Sequence, residues 1–355
     1  APSILNDLGA IRGRLGMHRD AEMLMRAALV ASPGLATARA NLAAFAQPLA
    51  PTRRSGVLAS FCNGEAATLG LIDPDTLGFE EVVLLGLLPA QGLTGLCARG
   101  DRVYLVLHNL RDGAGAVTSR CALVVLDAGS LAILEQHPLQ LGIDVHSLAV
   151  RDGVVYAVST GTDEVLALTL DGDRVVSEEV FWRPDPALDR SDHHHLNAIL
   201  EWKGRLLVSG FGRKSEGERW SSARGGFIQR IDDGERLVDG IHQPHSLAVV
   251  EGELAYCESP ARALRTLGGR SFGDLPGYAR GVCTMPDGTL FVATSCGRVK
   301  SKSTGEITNA AESGVPAGQC TVVRWAAGEP PSGIDVGLHA PEIYDLLAWA
   351  PPQGR

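Results

Sequence analysis

No stretch of this chain approaches the roughly 20 apolar residues a helix needs to cross a bilayer, and no basic-plus-apolar segment leads it. Nor is there a run of Lys and Arg. Acidic residues number 41 against 32 basic ones, a net charge of −9. That balance argues against nucleic acid as a partner and reads mainly as solubility. Cysteine is sparse: seven in 355 residues, an odd number with no Cys-x-x-Cys spacing. Cys97, Cys121, Cys257, Cys283 and Cys320 fall inside strand patterns. They read as small buried hydrophobes in a reducing compartment, so the expected location is the cytoplasm. No Gly-rich loop opens a helix, which excludes the nucleotide-binding folds that need one. No Gly-x-Ser-x-Gly elbow occurs, so Ser147 and Ser246 stand beside histidines through repetition and not as nucleophiles.

What the chain does contain is one strand–turn–strand phrase written five times. The first strands lie at 93–97, 145–149, 196–200, 244–248 and 279–283. Each carries a polar residue, a small residue and an apolar run, then a turn with Gly100, Gly153, Gly204, Gly252 or Gly288, then a second apolar strand. The polar positions advance by 52 (94 to 146), 51 (146 to 197), 48 (197 to 245) and 35 (245 to 280). That is the size of a four-stranded propeller blade with variable loops. A half-copy, Tyr344 to Trp349, ends the pattern without its second strand. Apolar runs at 56–61, 67–73 and 82–85 supply the missing strands from the other end. The sequence therefore predicts a mainly β fold, a six-bladed β-propeller over 56–355. Pairing of N- and C-terminal strands closes it and removes an open sheet edge.

Residues 1–46 have a different period. Leu5, Leu8, Gly9, Ala21, Met25, Ala28 and Pro33 fall where a tetratricopeptide helical hairpin puts its small and apolar positions, and Leu42 and Ala43 repeat Leu8 and Gly9 after 34 residues (8 to 42). Pro33 is expected to end the second helix. Such a short array needs something to dock on, so the segment is a candidate surface for a protein partner. Residues 47–55, with Pro48 and Pro51, read as the linker.

In a propeller the first strand of each blade lines the central channel, so the phased polar residues converge: Thr94, His146, Asn197, His245, Arg280 and Asp345. A narrow axis is normally packed with apolar groups, and six polar ones each need a partner. His146, His245 and Asp345 fall on alternate blades, where two imidazoles and a carboxylate suit a divalent transition metal such as zinc, iron or manganese. Glu342 is the alternative carboxylate. Asn197 and Thr94 would orient water, and Arg280 would clamp an anionic group. Such a ring equally suits a plug of bridging waters. The loop Asp192-His193-His194-His195 feeds the third first strand, with His195 nearest the axis as a candidate proton carrier. Further candidates at strand–loop junctions are Asn63, Glu65, His108, Asn109, Asp163, Glu258, Ser259 and Arg298. The charged stretch 213–220 reads as a surface loop, and Trp182, Trp202 and Trp220 as an apolar wall or core packing.

The strand pair from Pro244-His245-Ser246 to Gly252-Glu253-Leu254, with the runs at 159–165 and 275–281, resembles a family of uncharacterised bacterial propeller proteins found with tetratricopeptide repeats. That resemblance implies a fold and no activity. More distantly, the Pro-His-x-Leu-Ala-Val strand resembles NHL-repeat propellers, including peptidyl-hydroxyglycine amidating lyases, in which axial histidines hold zinc and an arginine assists. His146, His245 and Arg280 match that pattern, and Asp345 stands in the third histidine's slot. Gluconolactonase-like propellers, which bind a metal through carboxylates and Asn, are echoed by Asn197 and Asp345.

Two functions follow as expectations. The first is a metal-dependent lyase or hydrolase, with isomerase chemistry also fitting, acting on a small polar, anionic substrate. Its metal ligands would be His146, His245 and Asp345, and its catalytic residues His195, Arg280 and Asn197. The second is a non-catalytic interaction module combining the helical segment with a propeller face.

Overall fold

Short runs of Val, Leu and Ala between glycine turns can bury both faces only when sheets stack against each other on either side. In the computed structural model these runs form six four-stranded antiparallel sheets arranged around an axis. The described residues are 2–14, 17–32, 34–45, 55–64, 67–84, 86–214, 220–296 and 318–350. The inner strands are Ala90–Arg99 (blade 1), Val145–Arg151 (blade 2), Leu196–Trp202 (blade 3), Pro244–Val250 (blade 4), Tyr278–Thr284 (blade 5) and Glu342–Trp349 (blade 6). Each touches the next, and blade 6 touches blade 1, so the circle closes. The fold is a six-bladed β-propeller.

Blade 6 is composite. Its inner strand from the C-terminal region pairs with Gly56–Cys62, followed outward by Thr68–Ile72 and Phe79–Val82. The outermost strand thus lies earlier than the apolar run 82–85 suggested. Phe79 on that strand meets Phe61 edge-on with ring centroids 5.9 Å apart, so an aromatic contact two strands away placed it. Leu85 lies outside the described residues.

The core is six interfaces, one between each pair of neighbouring blades. Between blades 6 and 1, for example, Leu58, Leu69 and Leu71 pack against Leu93, Leu105 and Leu107. Side-chain latches cross the same interfaces nearer the axis. Thr94 Oγ1 donates to Val145 O (2.6 Å), Thr160 Oγ1 to Leu196 O (2.5 Å), Ser259 Oγ to Ala279 O (2.6 Å) and Ser295 Oγ to Ile343 O (2.9 Å). At the closing seam Trp349 Nε1 donates to Ala128 O (2.8 Å). The cysteines are free and buried or half-buried.

Three helices precede the propeller: α1 (Pro2–Arg14), α2 (His18–Ala31) and α3 (Ala36–Phe45). A side chain on Gly9 would meet Ala21 O and Met25 Cγ at 3.1 Å, so the glycine lets α1 and α2 approach closely. Ala21, Met25, Ala28 and Ala38 are fully buried. Helix α2 ends at Ala31; Pro33 and the linker residues 47–54 lie outside the described residues. No helix among the described residues is long and apolar enough to cross a membrane.

Candidate functional site

Every inner strand carries a register irregularity, and these bulges decide what reaches the axis. One residue of each strand is left out of the ladder and re-aimed. It is His146 in blade 2 and Asn197 in blade 3, but Ser246 in blade 4, Gly281 in blade 5 and Tyr344 in blade 6. In blade 1 the irregularity spans Thr94 and Gly95. The phased polar residues are therefore not level. His245 and Arg280 precede their bulges, and Asp345 follows its own.

The consequence is visible at Asp345. Its Oδ2 accepts the Leu96 N–H of blade 1 and its Oδ1 accepts the Leu346 N–H, both at 2.9 Å. It works as a latch between blades 6 and 1, as Ser147 Oγ does for the Ile199 N–H (3.2 Å) and Ser246 Oγ for the Gly281 N–H (2.8 Å). Burial pushes its carboxyl up to about 7. Thr94, through its own latch to Val145, is likewise part of the frame.

Inner strands start, and second strands end, at the same mouth of the channel. There the side chains form a closed ring. Tyr344 meets His146 (centroids 5.1 Å apart), His146 meets His195 (5.7 Å), and His195 packs on Phe211 (4.4 Å) and Trp220 (4.9 Å). Phe211 meets His245 (5.1 Å), and His245 meets Tyr278 (5.2 Å). The Arg280 guanidinium completes the circuit, 5.3 Å from the Tyr278 ring and 4.9 Å from that of Tyr344.

Among the described residues, His108, Asp144 and His146 form a buried group whose donor atoms lie within 4.8 Å of one another. His108 Nε2 lies 2.5 Å and His146 Nε2 3.3 Å from the same Asp144 oxygen. His146 Nδ1 faces Asn197 Nδ2 at 3.4 Å. Burial pulls His146 down to about 4 against the pull of Asp144. Burial would raise Asp144, but His146 and His108 more than offset it and hold the carboxylate well below its ordinary value. Two imidazoles and one carboxylate with converging donors fit a divalent cation. His146 thus belongs to a metal-type group with His108 and Asp144, and His245 and Asp345 stand outside it. The one-residue bulge offsets are the physical reason, since each residue along a strand advances about 3.3 Å. Glu342, the alternative carboxylate, is buried beside Arg280 (3.8 Å) and accepts from Asn63 Nδ2 at 3.1 Å.

The His193–His195 loop is held by Asp163, itself in a left-handed conformation (φ 55°). Asp163 accepts the backbone N–H groups of His193 (3.3 Å), His194 (2.7 Å) and Leu196 (3.3 Å), and pairs with His194 Nδ1 (2.7 Å). His193 turns away to Asp189. That leaves His195 facing the ring, with Nδ1 2.9 Å from Asp192. Burial would lower His195, but Asp192, and behind it Asp144 and Asp163, raise it above the ordinary imidazole value. Across the ring, burial and then Arg280 push His245 well below that value.

Of the junction residues, His108 and Ser259 join the site and Asp163 braces it. Asn109 pairs with Gln91, and Glu258 with Arg265. Glu65, Arg298 and residues 215–219 lie outside the described residues. Trp182, Trp202 and Trp220 pack in three separate clusters, so they build no common wall. The sequence reading missed Asp144, Phe211, Gln243, Tyr278 and Tyr344. Asp144 and Gln243 are the residues just before or opening an inner strand, both with positive φ (51° and 49°), which on sequence read as turns. The equivalent offset before His146 and before His245 was the available signal.

Comparison with solved structures returns propellers. A chain of a nidogen/laminin complex aligns at 13% identity over 82% of this chain and 97% of that one, with a TM-score of 0.50. A 6-phosphogluconolactonase candidate from Bacteroides fragilis aligns at 13% over 84% and 98%, TM-score 0.51. A calcium-binding regucalcin from Agrobacterium tumefaciens aligns at 14% over 69% and 74%, TM-score 0.45. At such identities the likeness is one of fold. No curated protein matches the chain in sequence. Residues 131–350, from the last strand of blade 1 through the inner strand of blade 6, match DUF4915, a domain of unknown function, and the chain belongs to that family.

Proposed function

We propose that the channel mouth is the active site of a metal-dependent enzyme, a hydrolase or lyase, acting on a small anionic substrate. One observation carries the reading. A buried group of two imidazoles and a carboxylate shares a closed ring with an imidazole that Asp192 raises above its ordinary value and a guanidinium whose Nε and Nη1 make no hydrogen bond among the described residues.

His108 Nε2, His146 Nε2 and an Asp144 oxygen would hold the cation. Zinc, iron or manganese bound there would polarise a reacting carbonyl or activate water. Holding it requires the imidazole protons to move to the Nδ1 atoms. Asn197 allows this at His146, because its amide can present oxygen in place of nitrogen. Asn197 is then a positioning residue. His195, whose affinity for a proton Asp192 raises from 2.9 Å at Nδ1, can deliver one from Nε2 to a leaving oxygen. Arg280 takes the anionic group. Phe211 and Trp220 cover His195 and exclude water from it.

The test is elemental analysis of tag-free, dialysed protein, alongside a screen of small anionic esters and hydroxy acids for turnover. Near-stoichiometric metal that disappears in His146→Ala is the expected result. No metal after reconstitution with zinc, iron and manganese would overturn the reading.

A further inference from the structure

His245 repeats the position of His146 but keeps different company. Its Nδ1 lies 3.2 Å from the carbonyl oxygen of Gln243 and 2.8 Å from Ser259 Oγ. A carbonyl can only accept. Ser259 gives its one proton to Ala279 O at 2.6 Å, so toward His245 it too can only accept. Nδ1 must therefore carry the hydrogen, and Nε2 is a bare lone pair. His245 is 2% exposed, and Nε2 has no hydrogen-bond partner among the described residues. The polar groups nearby are committed elsewhere. The Tyr278 hydroxyl donates to Gln243 Oε1 and Gln243 Nε2 donates to Trp220 O, both at 2.7 Å.

Arg280 shares the Tyr278 ring with His245. Tyr278 and Tyr344 both lie against its guanidinium, which directs its bonding into the plane. Nε and Nη1 are buried and make no hydrogen bond among the described residues; Glu342 stands 3.8 Å from Nη1, beyond hydrogen-bond reach. Around Tyr278 the mouth thus holds two buried donors, Nε and Nη1 of Arg280, and one buried acceptor, Nε2 of His245, that make no hydrogen bond among the described residues. Buried groups of this kind are rare without a ligand or water to satisfy them.

We infer that this half of the mouth is a subsite for a small 2-hydroxycarboxylate, whose carboxylate takes the Arg280 N–H groups while the adjacent hydroxyl donates to His245 Nε2. The inference rests on the reading of the mouth as a small-anion site and gives His245 a role other than metal ligand. A simple carboxylate would satisfy Arg280 but leave Nε2 bare or set an oxygen lone pair against it. Sulfate brings no hydrogen at all. An O–H beside the oxyanion answers all three groups. Burial and Arg280 keep His245 neutral, so it stays an acceptor.

The test is isothermal titration of the full chain with glycolate, acetate and sulfate, in EDTA so that chelation of metal by glycolate does not enter. Glycolate is expected to bind about tenfold tighter than acetate, because a site built to bond a hydroxyl rejects the analogue that lacks it. Sulfate should bind more weakly than glycolate. His245→Ala should erase the glycolate preference while acetate binding survives, which also shows that the variant folds. Arg280→Gln should weaken both ligands. Imidazole ¹⁵N spectra of the unmutated protein give a second readout: Nε2 unprotonated when free, and shifted by glycolate. Equal binding of glycolate and acetate, a preference that survives His245→Ala, or a protonated Nε2 in the free protein would each overturn the subsite. So would glycolate binding that appears only when zinc replaces EDTA, an outcome that leaves the metal reading standing. Absence of metal binding with the glycolate preference intact would do the reverse.

Discussion

His146 and His245 occupy the same place in the repeat, two blades apart, yet the two sides of the channel mouth they belong to are built on opposite electrostatics. On one side His146 and His108 converge on the Asp144 carboxylate, and His195 leans on Asp192. On the other, His245 has only neutral partners at Nδ1, and Arg280 is the charge that, after burial, most disfavours its protonation. Burial is common to both. Besides the bulge offset, what separates them is whether an acidic residue precedes the histidine: Asp144 stands two residues before His146, and Gln243 two residues before His245. A carboxylate there completes a group of donors able to hold a cation. An amide there leaves a neutral acceptor, which with Arg280 suits an anion bearing a hydroxyl. One repeat position thus yields two chemistries through a neighbour on the entering turn.

That contrast can be broken most directly through metal content. His108→Ala is expected to reduce bound metal below detection, while His245→Ala leaves it unchanged. Equal loss in both would merge the two sides into one site. The next largest effect concerns the charge below the mouth. Asp345 binds its proton more tightly when folded, at about 7 against the ordinary 3.8. Its contribution to stability is therefore complete below about pH 4 and lost as pH rises through about 7. Urea midpoints of the unmutated protein should fall between pH 5 and 8 by an amount worth a few kcal/mol, and Asp345→Asn should flatten that slope. Parallel slopes would refute a carboxyl that burial raises. Asp163→Ala strips the acceptor from three backbone N–H groups of the loop that carries His195. We expect a loss of about 3 kcal/mol, since each orphaned buried donor costs about 1–3. His195 NMR signals should shift while those of His245 hold. The smallest change is Thr94→Val, which removes one latch to Val145. A cost of about 1 kcal/mol with metal content untouched is expected, by chemical denaturation and elemental analysis. A metal loss there would mean that blade spacing tunes the site.

Much of the fold was legible because its signals are local. The alternation of apolar residues and the glycine turns fall within each blade, and the unfinished copy at Tyr344–Trp349 together with the unclaimed strands from residue 56 put Asp345 on an inner strand beside Ser60, 285 residues away. The helical segment showed itself through small residues such as Gly9 and Ala21, which meet in α1 and α2. The site was legible only in part. His146, Asn197, His245 and Arg280 do reach one mouth, and His195 overhangs it. Asp144 went unseen because an acidic residue with φ 51° before a strand looks like any turn. Tyr344 and Tyr278 looked like ordinary strand aromatics.

The sequence alone determined the repeat, the number of blades, the closure through a composite blade and the polar character of the axis. Periodicity and turn chemistry act over a few residues and need no partner to be read. Only the tertiary structure decided which polar residues share a level. That depends on where each inner strand bulges, and a bulge is a mismatch between two strands. It took the bulges to send Asp345 to the Leu96 N–H, to bring His108 and Asp144 to His146, and to leave His245 facing Arg280 with a lone pair to offer.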